Sequence, residues 1–214
     1  MFDYRGYGRS EGMPSVAPFL HPKSAEDQIR FLVEGLGGEE LRRHVDDRTR
    51  RLYFDAARTI DSDYEMKRVY VSALKKGAVS PALLAGVLDA ARSIESDYEA
   101  ATLLIEAVRS HEIGAEVRKP FFAALDSVQS SYEKGRVLQA LLRRGPLPDD
   151  AVADVLRATG TIESSHEAGQ VLQLTARTQT ISGPARDAYL KVADRLGNHE
   201  QTQALAALVR SERR

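Results

Sequence analysis

A short motif recurs in this chain at a constant spacing of 34 residues, and this period constrains the fold more than any other feature. The motif reads apolar-x-Ser-(Asp or Ser)-(Tyr or His)-Glu, and its four clear copies begin at Ile60, Ile94, Val128 and Ile162. One more step of the same length reaches Leu196, where a degenerate fifth copy has lost one residue. Two helices of about 13 residues and their turns fill such a period, so each repeat is expected to be a helical hairpin. The sequence therefore predicts an all-α protein, an α-solenoid of about five stacked hairpins and about eleven helices with a right-handed superhelical twist.

Each copy of the motif marks the start of a helix. Ser62 and Glu65 form the pattern of a capping box, and the same pair recurs in the next three copies. In a capping box the serine hydroxyl accepts a hydrogen bond from a first-turn amide, and the glutamate accepts one from the amide of the cap residue. Asn198 is expected to replace the serine in the fifth copy. We therefore interpret these serines and glutamates as helix caps and not as catalytic groups.

Apolar residues follow the same period and predict the core. Two pairs of adjacent columns recur along the chain, one pair in each helix of the hairpin. The first members of these pairs are Tyr53, Val87, Phe121, Val155 and Tyr189 in the first helix, and Val69, Leu103, Val137 and Val171 in the second. One apolar face per helix must be covered by the neighbouring hairpins. Gly135 and Gly169 share a further column. Since glycine inside a helix costs about 1 kcal/mol relative to alanine, we expect close helix packing there.

The repeats divide the chain into two parts. Residues 23–214 are predicted to form the α-helical repeat domain, with a leading helix over residues 24–36 and the first helix of the first hairpin over residues 39–59. Residues 1–22 precede the repeats and are expected to form a flexible or loosely packed arm. The last helix, from Asn198 onward, carries a polar tail, as is expected of the terminal repeat of such an array.

Composition excludes several classes of function. The 30 Lys and Arg residues are balanced by 31 Asp and Glu residues, so charge alone cannot supply affinity for nucleic acid, and a nucleic-acid-binding array is the least favoured alternative. The chain has 0 Cys residues, which excludes disulfides and thiolate metal sites. No apolar run is as long as the roughly 18–20 residues of a membrane span, and the N-terminus lacks a signal-peptide pattern. We therefore predict a cytoplasmic protein with no cofactor and no metal.

The repeated motif resembles a known family. Its Ile-x-Ser-Asp-Tyr-Glu pattern, over roughly residues 24–212, is similar to a 34-residue helical repeat of bacterial proteins. That repeat has the length of a tetratricopeptide repeat and is HEAT-like, and it is found near antirepressor metallopeptidases of the BlaR type. The motif is specific to the repeat and does not imply an activity. The peptidase motif His-Glu-x-x-His is missing, because His166-Glu167 and His199-Glu200 both lack the second histidine, and no metal site is predicted.

The first residues carry a second resemblance. Residues 2–15 are similar to a segment of α/β-hydrolases, and residues 8–12 match the G-x-S-x-G pattern of a nucleophile elbow with Ser10 at its centre. An elbow needs a strand before it and a parallel sheet around it, which the seven preceding residues cannot supply. A hydrolase-related, esterase-like fragment with Ser10 as its nucleophile is therefore the alternative hypothesis, and a noncatalytic protein is the favoured one.

A candidate binding surface lies on the second helix of each hairpin, opposite its apolar columns. Tyrosine or histidine recurs there in the first turn and lysine or arginine in the last turn, and two repeats carry a further arginine one turn after the tyrosine. We name this set the tyrosine–cation ladder, and it consists of Tyr64, Arg68, Lys75, Tyr98, Arg109, Tyr132, Arg136, Arg143, His166 and Arg177.

Two interpretations of the ladder are open. Second helices also touch the following hairpin, so the tyrosines could be packed there with their hydroxyls hydrogen-bonded. Alternatively, because tyrosine and arginine are enriched in interfaces, the ladder could form a groove for an extended peptide or a partner helix. The cations of the ladder favour an acidic partner. The favoured function is thus a noncatalytic scaffold or regulatory module that binds a protein or peptide.

Overall fold

The structure, a computed structural model, describes Phe54, Ala57, residues 59–75 and residues 79–213. These residues form nine α-helices, and no strand occurs among them, which confirms the predicted all-α fold for this part of the chain. The helices are α1 (Asp63–Lys75), α2 (Pro81–Ala91), α3 (Asp97–Ser110), α4 (Ala115–Ser127), α5 (Ser131–Leu142), α6 (Asp149–Thr159), α7 (Ser165–Thr178), α8 (Gly183–Ala193) and α9 (Asn198–Ser211). The arm and the two predicted upstream helices lie outside the described residues, apart from Phe54 and Ala57, which are helical and buried. The expected total of about eleven helices therefore stays a prediction.

The nine helices form two layers, because each helix packs mainly against the helix two positions along the chain. Helices α1, α3, α5, α7 and α9 form what we name the odd layer, and α2, α4, α6 and α8 form the even layer. Each 34-residue repeat thus contributes one helix to each layer. The expected solenoid with a right-handed twist stays a prediction.

The core lies between the layers and is built from the periodic apolar columns. Val87, Phe121, Val155 and Tyr189 of the even layer are completely buried, and their counterparts in the odd layer are at most 1% exposed. Burying one such side chain stabilises the fold by about 1.5–3 kcal/mol relative to leaving it in water. The hydroxyl of Tyr189 donates a hydrogen bond to the carbonyl oxygen of Ala204 at 2.8 Å, and burial raises the pKa of Tyr189 above its usual range. The predicted core is therefore confirmed for the described residues.

Of the two hydrogen bonds predicted for each capping box, the structure confirms only the one that the serine hydroxyl accepts. In α1, α3, α5 and α7 the amide of the third helical residue donates to the hydroxyl of the cap serine at 3.3–3.4 Å, as predicted. The predicted return bond from the glutamate is wrong for the three later caps. The amides of Ser96, Ser130 and Ser164 donate instead to a side chain of the preceding repeat, which lies within hydrogen-bond distance of each.

The acceptor in each of these contacts is the first residue of the preceding odd-layer helix. Asp63 Oδ2 accepts from the amide of Ser96 at 2.7 Å, and Asp97 accepts from the amides of Gln129 and Ser130 at 2.9 and 2.7 Å. Two serines in the same position accept the equivalent amides at 3.2 and 3.3 Å. We name these four acceptors the staple residues, and they are Asp63, Asp97, Ser131 and Ser165. Each of them joins the start of one odd-layer helix to the start of the next.

The fifth copy of the motif starts its helix one position away from the prediction. The cap of α9 is Gly197, no side chain caps this helix, and Asn198 lies inside it. The amide of Gly197 donates to the staple residue Ser165 at 3.3 Å. Because this copy has lost one residue, its asparagine no longer coincides with the cap position that serine occupies in the other repeats.

The glycine column brings the odd-layer helices close together. A Cβ atom added at Gly135 would lie 3.0 Å from Oε2 of Glu167 in α7, and one added at Gly169 would lie 3.0 Å from Cβ of Glu200 in α9. Real Cβ atoms are seldom this close to a neighbouring atom. The close helix packing expected at this column is therefore confirmed.

Candidate partner-binding face

Three tyrosines of the ladder lie in the first turn of α1, α3 and α5. Tyr64, Tyr98 and Tyr132 are 52%, 56% and 58% exposed, and among the described residues only Val209 is another large hydrophobic side chain of comparable exposure. The interpretation in which these rings are packed against the following hairpin is therefore wrong. The reason is visible in α5, where the next odd-layer helix packs on Gly135, three residues beyond the tyrosine. The rings are left accessible to a partner.

Cations contact these rings. The guanidinium carbon of Arg136 lies 5.7 Å from the ring centroid of Tyr98 and 5.8 Å from that of Tyr132, so one cation contacts tyrosines of two adjacent repeats. Lys67 Nζ lies 4.5 Å from the ring centroid of Tyr64. Contacts of this kind contribute about 0.5–1 kcal/mol at exposed sites. They orient the rings before any partner binds.

The cations beside the rings are neutralised by glutamates of the same layer. Arg68 pairs with Glu65 at 2.9 Å, and Arg136 pairs with Glu133 at 2.7 Å. At the opposite end of α1, away from the rings, Lys75 also pairs with a glutamate of α3, at 3.5 Å. Exposed pairs of this type contribute about 0–1 kcal/mol. Their main consequence is that the tyrosine end of the face is close to neutral.

A second column of cations lies at the opposite end of the odd-layer helices. Arg109, Arg143 and Arg177 are exposed, and none of them has a carboxylate partner among the described residues. The last two each donate to a glutamine one turn earlier, at 2.9 and 3.3 Å. Arg210 of α9 is exposed at the corresponding end of its helix, although the sequence pattern did not include it because the lost residue shifts its register. We name these four arginines the outer arginines.

The ladder changes its chemistry at α7. His166 takes the place of tyrosine, and its Nε2 accepts a hydrogen bond from Nε2 of Gln170 at 2.7 Å. His199 and Gln203 repeat this contact in α9 at 2.8 Å, and neither was predicted as a ladder residue. The C-terminal repeats thus present imidazole and amide groups where α1, α3 and α5 present phenol rings.

A partly apolar strip separates the rings from the outer arginines. Val71 of α1 and Ile105 of α3 occupy the same register there, and Gln139 follows in α5. Ile105 is only 8% exposed. Its side chain belongs to the core cluster, against which Val71 is also packed. This strip therefore lies lower than the rings and the outer arginines, next to the core.

Among the described residues no group of three or more His, Asp and Glu side chains could hold a metal ion. None of the helices described is both long and apolar enough to cross a bilayer. Ser10, the nucleophile of the alternative hypothesis, lies outside the described residues, so that hypothesis stays an expectation.

No protein-family model, curated protein or solved structure matches this chain. The resemblance of its motif to a bacterial helical repeat therefore stays a prediction. The function has to be inferred from the face itself.

Proposed function

We propose that the protein is a noncatalytic α-solenoid, a scaffold or regulatory module that binds a protein or peptide partner through the tyrosine–cation ladder. The observation that carries this proposal is the exposure of Tyr64, Tyr98 and Tyr132, each by more than half, in one register of three successive repeats. A tyrosine side chain has a large apolar ring and a polar hydroxyl, which suits a surface that is exposed to solvent in the free protein and buried in the complex. Exposed aromatic patches on a folded protein mark interaction sites.

The rigidity of the odd layer supports this function. The staple residues and the contacts at Gly135 and Gly169 fix the spacing of successive odd-layer helices. Arg136 contacts two of the three rings at once. Because the face is ordered before a partner arrives, less conformational entropy is lost on binding.

The outer arginines support an acidic partner. Since Arg109, Arg143 and Arg177 have no carboxylate partner among the described residues, a partner's carboxylates can pair with them without breaking an existing ion pair. Arg68 and Arg136 are less suited to this role, because each already pairs with a glutamate of its own helix. Charge complementarity of this kind contributes mainly to specificity and to the rate of association.

The proposal is tested with a chain that combines Tyr64→Ser, Tyr98→Ser and Tyr132→Ser. Wild-type and variant chains are used for affinity capture from a lysate of the source organism, and bound proteins are identified by mass spectrometry. We expect the dominant partner of the wild-type chain to be lost with the variant. The thermal midpoint should change by no more than about 2 °C, because exposed substitutions have small effects on stability.

A matched control changes three exposed residues outside the ladder, with Lys119→Ser, Lys191→Ser and Val209→Ser. This control variant should capture the partner as the wild-type chain does. Equal capture by the wild-type chain and the tyrosine variant would contradict the proposed function.

A further inference from the structure

Resting on the proposed function, we propose that the bound segment is an acidic peptide in the polyproline II conformation that crosses α1, α3 and α5 with one turn per repeat. Its prolines contact the three exposed tyrosine rings, and its acidic side chains meet Arg109 and Arg143 at the other end of α3 and α5. Three properties of the face carry this inference: its period, its aromatic chemistry and its distribution of charge.

The period of the face matches that of a polyproline II helix. Packed helices have axes about 8–10 Å apart, so equivalent side chains of α1, α3 and α5 repeat at about that distance. A polyproline II helix advances about 9 Å in one turn of three residues, and every third side chain lies on the same side. A β-strand repeats its faces about every 6.6–6.8 Å, which does not match this spacing. An α-helix advances about 5.4 Å per turn, so it would meet successive rings only with every second turn, at about 10.8 Å, and the polyproline II helix fits the spacing better.

The aromatic chemistry of the face is that of proline recognition. Proline-rich segments dock into grooves lined by aromatic side chains, and their preformed helix loses little entropy on binding. Tyr98 and Tyr132 are held by the same guanidinium group, and each ring is still more than half exposed. Successive turns of the peptide therefore meet equivalent, already oriented rings.

The charges lie where the acidic side chains of such a peptide would reach. Tyr98 and Arg109 are eleven residues apart in α3, which corresponds to about 16 Å along the helix axis. A peptide backbone over the apolar strip at Val71 and Ile105 lies between them. It can turn one residue of each triplet toward the rings and another toward Arg109 and its counterpart Arg143.

The same charges disfavour a single-stranded nucleic acid, which would also stack on tyrosines. A nucleic acid brings a negative charge with every nucleotide and depends on many uncompensated cations. Here the cations nearest the rings, Lys67, Arg68 and Arg136, are each paired with a glutamate. The phosphates of a nucleic acid bound along the rings would lie beside these carboxylates and would be repelled by them.

The test uses the full chain and two fluorescent peptides of identical composition and charge, of about nine residues each. One has three Pro-Pro-Glu units, and the other has six prolines followed by three glutamates. We expect the repeating peptide to bind about tenfold more tightly in fluorescence anisotropy titrations, because only it places a carboxylate at every repeat. Combining Arg109→Ala with Arg143→Ala should remove this difference, and the control pair Lys119→Ala with Lys191→Ala should leave it unchanged.

Three results would overturn the inference. They are equal affinity for the two peptides, no binding of the repeating peptide, and preferential binding of a single-stranded oligouridine of similar length. Each can be separated from failure of the proposed function. If the lysate partner is still lost with the tyrosine variant, the face binds a partner of another chemistry and only the polyproline II inference fails.

Discussion

Asp97 joins two repeats through one carboxylate. It opens α3, where a negative charge is favourable at the N-terminus of a helix. The same carboxylate accepts the amides of Gln129 and Ser130, which belong to the turn before α5. Amides at the start of a helix have no partner inside that helix. Asp97 therefore satisfies donors of the next repeat and fixes where the next odd-layer helix begins.

Removing this carboxylate should destabilise the fold. For Asp97→Ala we expect the free energy of unfolding to fall by about 1–3 kcal/mol, because two amides lose their acceptor. Urea denaturation followed by circular dichroism measures the change. Glu95→Ala is the control, since this exposed residue lies two positions earlier and should change stability by less than about 0.5 kcal/mol. If Asp97→Ala changed stability no more than the control does, water would be accepting the two amide hydrogen bonds in place of the carboxylate. The contact from Asp97 would then not contribute to the free energy of unfolding.

At the residue scale, local contacts could be predicted and distant ones could not. The serine caps followed from the sequence because donor and acceptor are three residues apart. The contact from Asp63 spans 33 residues, so it depends on the distance between two helices, which no local pattern contains. The exposure of Tyr98 likewise depends on the positions of helices that are distant in the sequence. The pattern placed it opposite the apolar columns, but the course of the following hairpin decided whether the ring was covered.

At the scale of helices, the glycine column shows how one substitution can have opposite effects in two repeats. Gly135 and Gly169 occupy equivalent positions in α5 and α7. A Cβ at Gly135 would meet the end of the Glu167 side chain, which can rotate away. A Cβ at Gly169 would meet Cβ and Cγ of Glu200 at 3.0 and 3.2 Å, and this Cβ cannot move unless the backbone of α9 moves. The sequence indicated close packing at both positions, but only the contacted atoms distinguish them.

Alanine at the two positions should therefore change stability in opposite directions. Gly135→Ala is expected to stabilise the protein by up to about 1 kcal/mol through its higher helix propensity. Gly169→Ala is expected to destabilise it by about 1–3 kcal/mol, because α9 must shift. Thermal denaturation of the two variants under identical conditions provides the measurement, and each serves as the control for the other. Shifts of the same sign would contradict the packing that we describe at α7 and α9.

At the scale of the whole molecule, the repeat period determines the order of contacts. A constant period puts every odd-layer helix in the same relation to the next, so staples and core columns recur along the chain. This order could be predicted from the spacing of the motif alone. The sequence shows tyrosine in the first three repeats and histidine in the later ones, but it does not show which of these residues can bind a partner. That depends on which side chains are exposed and on which cations are already paired with glutamates.

A second copy of residues 129–162 inserted after Ile162 is expected to extend the array by one hairpin. Because the copy begins and ends in register, its contacts with both neighbours repeat those between α5 and α7. The thermal midpoint should rise by about 2–4 °C for each kcal/mol gained, with a larger helical signal in circular dichroism. A Gly/Ser insertion of the same length at the same place is the control, and it should lower the midpoint because it adds loop entropy and no interface. If both insertions lowered the midpoint alike, the repeats would not stack as independent units, and the α-solenoid proposal would fail.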